Sequence, residues 1–238
     1  MPTSRTYASH GDACATSHAM ELLGDRWTYP VLRELMLSPK RFAELQGAVH
    51  GITPAVLTAR LRHLEASGLV NRETLPAPAS ATVYELTDWA KELQPLFEPL
   101  GRWALRSPVR DVSGCGLTPD AIIQSMLTMA PKIAMDPSLN IELRLVDART
   151  PRVSEPYVYR LHWGRDLSIE RGNSSQAQAT VSGDSSDLAN VLYQNAELRG
   201  MDIVGNRAAL ERLITAFDGV IDDAMSHAET SSHSASTT

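Results

Sequence analysis

The stretch from Gly24 to Asp88 constrains this chain most, because it sets helical patterns on both sides of a glycine-bearing turn and follows them with a strand pair. Thr53-Pro54 is a strong helix start, a hydroxyl cap followed by proline at the first helical position. Leu57, Leu61 and Leu64 follow at i, i+4 and i+7 and must face a core. Ala55, Thr58, Ala59, Arg62 and partly His63 then face away from it, and Ser67-Gly68 closes the helix. Upstream, Phe42, Leu45 and Val49 mark a short helix before the turn at His50-Gly51. Before that, Asp25 caps a helix carrying Trp27, Val31, Leu32 and Leu35, with Pro30 near its first turn, where little hydrogen bonding is lost. A first helix spans Asp12 to Leu23, with Ala19, Leu22 and Leu23 on its apolar side. Strands at Leu69–Leu75 and Ala81–Leu86 flank a tip at Pro76–Ser80. Helix, turn, helix and hairpin in that order predict a winged helix-turn-helix, a form that places one helix in the DNA major groove.

The charge distribution fits that expectation only locally. Residues 1–110 hold 12 Lys and Arg against 11 Asp and Glu, while residues 111–238 hold 10 against 17, within a net charge of −6. Between Lys40 and Arg72 five bases (Lys40, Arg41, Arg60, Arg62, Arg72) face two acids (Glu44, Glu65). Cations at the contact, not net charge, govern binding to phosphates. Thr58 and Arg62 lie at i and i+4, so both can enter one groove, the guanidinium toward a guanine edge and the threonine toward thymine. Thr53 and the amides behind it are placed for a phosphate, and Lys40 and Arg41 for the flanking backbone. Arg60, beside core-facing Leu61, is open to a structural role as much as to a DNA contact, and His63 and Arg72 complete the candidate set.

The same stretch resembles the HxlR family of bacterial winged-helix regulators, relatives of the MarR group. The carriers are Leu22-Leu23-Gly24-Asp25-Arg26-Trp27, Leu32-Arg33-Glu34-Leu35, Lys40-Arg41-Phe42-Ala43-Glu44-Leu45, Gly51-Ile52-Thr53-Pro54, Arg60-Leu61, Leu64-Glu65, Gly68-Leu69-Val70 and Tyr84-Glu85-Leu86-Thr87. The resemblance implies a homodimer paired through its first and last helices, each recognition helix reading one half of an inverted repeat in double-stranded DNA, with repression the expected sign. The family commonly carries basic residues where this chain has Ala55 and Ala59, and an Arg near the wing tip where it has Ala81. Fewer cations imply weaker binding and a shallower salt dependence than usual for the family. Cys14 stands at the start of the first helix, where some members carry a redox- or electrophile-sensing cysteine; a helix start lowers a thiol pKa, and His18 follows at i+4. The competing expectation is a small buried hydrophobe or an inert thiol.

A long helix is expected from Thr87 or Asp88 to about Trp103, kinked or divided by Pro95 and Pro99. The winged-helix domain therefore runs over 1–106, and the Pro-, Gly- and Ser-rich segment 107–116 reads as a linker. A second domain is expected over 117–222: a helix from Thr118-Pro119 to about Ile133, strands at Asn140–Val146, Tyr157–Trp163, Asp166–Glu170 and Ala177–Ser182, and helices at Ser185–Tyr193 and Asn206–Phe217. With Ala179-Thr180-Val181-Ser182-Gly183-Asp184, Leu188, Ile203-Val204-Gly205-Asn206 and Leu210, this half is similar to the sterol carrier protein 2-like fold. That resemblance implies an apolar tunnel for a hydrophobic effector, which Met126, Met129, Met135 and Met201 are suited to line if they are not plain core; a dimerisation platform is the alternative. The tail over 223–238 has almost nothing to bury and is expected to be disordered.

The whole is expected to be an α+β chain and a regulator rather than an enzyme. No metal-ligand spacing, nucleophile elbow or Gly-rich phosphate loop occurs in it, so no cofactor is implied. No run approaches the roughly 18 apolar residues of a membrane span. The start, MPTSRTYASHGDACATSH, lacks the apolar segment of a signal peptide, and Cys14 and Cys115 form no disulfide framework, which together imply a reducing cytoplasm. Two other functions fit less well: a hydrophobic-ligand carrier whose winged helix serves dimerisation, and a redox switch with Cys14 as its input.

Overall fold

The computed structural model describes residues 6–76, 81–150 and 155–222. Backbone contacts divide the chain into two compact units, with the boundary between Leu93 and Gln94.

The first unit follows the expected order. A short 3-10 turn at Ala8–His10 precedes α1 (Ala15–Leu23), α2 (Thr28–Leu35), the two-residue strand β1 (Lys40–Arg41), α3 (Phe42–Ala48), α4 (Pro54–Ala66), β2 (Val70–Thr74), β3 (Thr82–Leu86) and α5 (Asp88–Lys91). Asp25 is not the cap of α2 that the sequence leads one to expect: it accepts the Trp27 N–H at 2.8 Å in the turn before the helix, whose capping position is Trp27 without a side-chain cap bond. Thr87 does cap α5, accepting the Ala90 N–H at 3.1 Å. Val31, Leu32, Leu45, Leu57, Leu61, Leu64 and Leu86 fill one core. Each fully buried leucine there contributes about 1.5–3 kcal/mol. The wing is antiparallel, with Val70 opposite Leu86 and Thr74 opposite Thr82. β1 adds an outer strand, pairing Lys40 with Tyr84 and Arg41 with Val83; the sequence pattern did not reveal it, because two residues carry no period. Ala77–Ser80 of the expected wing tip lie outside the described residues, as does the expected tail over 223–238.

The expected long helix is divided. Pro95 lacks an N–H, and its ring would clash with the carbonyl of Lys91, the last residue of α5. Helix resumes as α6 (Gln94–Leu105), which holds Pro99 inside it. The sequence placed this segment with the winged helix over 1–106; its contacts instead group it with α7 in the second unit.

In the second unit α7 (Pro119–Met129) precedes β4 (Leu139–Val146), β5 (Tyr157–Trp163), β6 (Leu167–Arg171), β7 (Ala179–Asp184), α8 (Ser185–Tyr193), β8 (Asp202–Gly205) and α9 (Arg207–Phe217). α7 ends four residues before the expected Ile133, ahead of Pro131, which disfavours helix in the residue before it. The sheet order is β6-β5-β4-β7-β8, with β4 and β7 parallel and the other pairs antiparallel. Alternation settles its faces. Leu139, Ile141, Leu143 and Leu145 of β4, and Tyr159, Leu161 and Trp163 of β5, are buried beneath α7, α8 and α9, and the ring of Trp163 meets Phe217 edge-on at 5.7 Å. Arg144, Arg160 and His162 point to the other, polar face.

That core contains a charged network. Asp120, 1 % exposed on the first turn of α7, accepts the Tyr159 hydroxyl at 2.6 Å and the Arg171 guanidinium at 2.9 Å. The guanidinium also stacks on Tyr157 and Tyr159, its carbon 4.1 and 4.7 Å from the ring centroids. A buried carboxylate persists because these donors, and the positive end of α7, replace water.

Candidate nucleic-acid interface

The helix-turn-helix is assembled from two specific backbone devices. Gly51 takes φ +81, a left-handed conformation that glycine adopts without the Cβ clash of other residues. The chain can thus turn sharply between α3 and α4. Thr53 then caps α4 by accepting the Val56 N–H, and Gly68 leaves it at φ +71. Leu57, Leu61 and Leu64 are at most 2 % exposed, so rotation of α4 about its axis is fixed by the core. Pro54, Ala55, Val56, Ala59, Arg62, His63 and Ala66 are consequently presented to solvent. Val56 belongs to this face although the sequence reading passed over it. It lies one residue, about 100°, from Ala55, and a full helical projection would have found it.

The structure sorts the candidate cations, and the sorting changes two of them. Lys40 is 3 % exposed, and its ammonium donates to the backbone carbonyl of Glu34, itself 1 % exposed. The expected reach of Lys40 to a flanking phosphate is therefore corrected: pairing of β1 with β3 turns Lys40 inward and Arg41 outward. Arg60 forms an ion pair with Asp25 at the start of α2, so of its two open roles the structural one is realised. Arg41, Arg62, His63 and Arg72 remain exposed. The Arg41 N–H donates to Glu44 at 2.6 Å, which fixes the entry into α3. Thr58 is half-buried, and its hydroxyl donates to the Pro54 carbonyl at 2.8 Å. Arg72 projects from the wing strand β2, opposite Tyr84.

Cys14 occupies the capping position of α1 and is exposed. The Ser17 backbone amide, then the Ser17 hydroxyl and the Thr16 amide, favour its thiolate and hold the thiol below its usual range. His18 turns its ring to Glu21, Nδ1 to Oε2 at 3.2 Å, rather than serving Cys14. In the second unit Met126, Met129 and Met201 are buried, the last with its sulfur against Gly183, where an added Cβ would come within 2.5 Å. Met135 stands apart, lining an open, largely apolar cleft of about 470 Å³ with Ile133, Ala208 and Thr215. Among the described residues no group of three His, Cys, Asp or Glu could hold a metal ion. No helix there is long and apolar enough to cross a membrane.

The family model described as HxlR-like helix-turn-helix matches residues 22–110. An uncharacterised HTH-type transcriptional regulator of Synechocystis sp. is 37% identical over 86 residues, which cover 36% of this chain and 64% of that protein. The HTH-type transcriptional regulator YodB of Bacillus subtilis is 36% identical over 86 residues, covering 36% of this chain and 77% of the relative. The solved reduced form of YodB from B. subtilis superposes with a TM-score of 0.38 at 32% identity, over 41% of this chain and 97% of that one.

Proposed function

The chain belongs to the HxlR-like helix-turn-helix family, and on that premise we propose that it is a DNA-binding transcriptional regulator that reads an inverted-repeat operator as a homodimer. The observation that carries the reading is the fixed rotation of α4: three buried leucines on one side, exposed Arg62 and short side chains on the other. Arg41 and Arg72 stand on the flanking strand and the wing, where groove-flanking phosphates would lie. For the dimer, α6 offers Leu96, Leu100 and Trp103 at i, i+4 and i+7, exposed by 59%, 52% and 66%. An apolar stripe of that kind seeks a partner surface. Repression is the sign we assign, since a protein seated on an operator excludes other proteins from it.

We assign the second unit a sterol-carrier-like fold that binds an apolar effector rather than a catalytic role. Support comes from a helix leading a five-stranded mixed sheet whose apolar face lies under helices, as the resemblance of 117–222 implies. The effector would shift operator affinity by as much as it prefers one spacing of the two recognition helices. A redox input through Cys14 is the second reading, favoured by its exposure and by the amides that stabilise its thiolate.

The decisive experiment pairs Arg62→Ala with the unaltered protein on a DNA sequence selected from a random pool. The variant is expected to lose about five- to a hundredfold in affinity for the selected sequence while staying dimeric in sedimentation. Equal affinity for selected and scrambled DNA in the unaltered protein would sink the operator-reading assignment. Native mass spectrometry of freshly purified protein tests the effector, where a co-purified apolar mass is expected. Alkylation of Cys14 that leaves DNA affinity unchanged would end the redox reading.

A further inference from the structure

The exposed face of α4 is chemically one-sided. At 100° per residue, Ala59 and Ala66 occupy its middle, Ala55 and Arg62 one flank, Val56 and His63 the other. Val56 is 39% exposed, although nothing in its own helix requires an apolar residue there. Thr58 has already given its hydroxyl proton to the Pro54 carbonyl. Its Oγ1 is thereby turned back along the helix, and β-branching sets the methyl in another staggered position. Arg60 is drawn off by Asp25 and Lys40 by Glu34, so neither adds a donor to this face. The helix also contains neither Asn nor Gln, the side chains that pair bidentately with adenine.

A surface of methyl groups beside a single guanidinium can still read bases. In the major groove thymine differs from the other bases by its C5-methyl, an apolar knob that small aliphatic side chains contact. We propose that α4 selects its half-site mainly through thymine methyl groups, contacted by Val56, Ala59 and the Thr58 methyl, with Arg62 supplying the polar contact to a guanine. This rests on the DNA-reading function proposed above and names the feature of DNA that is read. The alanines at 55 and 59 are then part of the specificity, not merely missing charges. Short side chains let the helix approach the groove floor closely enough for methyl contact.

The test uses the full chain and a half-site obtained by selection from a random duplex pool. Each thymine in the selected site is replaced singly by deoxyuridine, which removes the methyl and keeps every hydrogen-bonding group. Loss of one buried methyl corresponds to roughly a three- to fivefold loss of affinity. The proposal expects that loss at two or more thymines per half-site and none at thymines outside it. In Val56→Ala, which changes an exposed residue and leaves the core intact, deoxyuridine at the position facing residue 56 should cost less than in the parent, the two losses being non-additive. If full deoxyuridine replacement leaves affinity within twofold while Arg62→Ala still weakens it, the methyl reading is overturned and DNA reading stands. If selection enriches no sequence at all, DNA reading itself fails and this inference with it.

Discussion

The two units differ in where their best-buried charged side chains are spent. In the second, Asp120 is joined to Arg171 and Tyr159, Glu142 to Arg144, and Asp147 to Arg149, so acids and bases hold the unit together. In the first, Arg60 is likewise taken up by Asp25, Lys40 by the Glu34 carbonyl, Arg33 by the Glu34 carboxylate and Lys91 by Asp88, but Arg41, Arg62 and Arg72 are left on the surface. A unit that meets a polyanion needs cations without internal partners, whereas one that stabilises itself does not. Arg60 and Arg62, two residues apart on one helix, show that the distinction is made by rotation and not by residue type.

The largest expected break in that contrast is Asp120→Ala. It strands the Arg171 guanidinium between two tyrosine rings, and thermal unfolding should reveal a loss of about 3–5 kcal/mol in the second unit, since breaking a buried pair leaves an uncompensated charge. A loss below 1 kcal/mol would show that the network is ornamental. Next in size is the salt dependence of operator binding. With Arg41 and Arg72 as phosphate contacts in each protomer of a dimer, log K against log salt should have a slope of about −4. A slope steeper than about −8 would mean that cations counted here as internal do reach DNA.

Arg60→Ala sharpens the comparison at smaller amplitude. Its partner Asp25 is 41% exposed, so about 0–1 kcal/mol of stability should be lost. Operator affinity should change less than threefold, far less than for Arg62→Ala; equal effects of the two variants would erase the distinction drawn on α4. The smallest effect concerns Cys14. Because its thiol is held below the usual range, the thiolate is present at lower pH than in an ordinary cysteine, and deprotonation is easier, not harder. The alkylation rate should reach its half-maximum at a lower pH than that of an unstructured cysteine peptide measured alongside; a midpoint at or above the peptide's would remove the chemical basis for sensing.

Much of the first unit was legible because its signals are local. Thr53-Pro54, Gly51 and Gly68 fix where α4 begins, turns and ends, and the leucine spacing fixes which side is buried. β1 and the burial of Lys40 were not legible, because they depend on pairing with Tyr84 and Val83, more than forty residues later in the chain. In the second unit the longer strands were visible through alternation, but β8 (Asp202–Gly205), an edge strand with three exposed residues of four, carries no such pattern. Nor does alternation reveal that Asp120 will face Arg171, a relation set only when α7 lies against β6. Of the four methionines suited to line an apolar space, Met126, Met129 and Met201 are buried and Met135 lines an open cleft. Composition shows that thioethers are present, not which of them share a space.

The two-residue strand at Lys40–Arg41 behaves as a sorter. Alternation sends one cation toward the Glu34 carbonyl and the other toward solvent, and the choice depends on a register only two residues long. Deleting one residue from the preceding 36–39 segment would exchange their fates, burying the longer, forked guanidinium where a slim ammonium fits and leaving the outer position to Phe42. A single-residue indel there would therefore change which cation faces outward, and from which position, without replacing any basic residue.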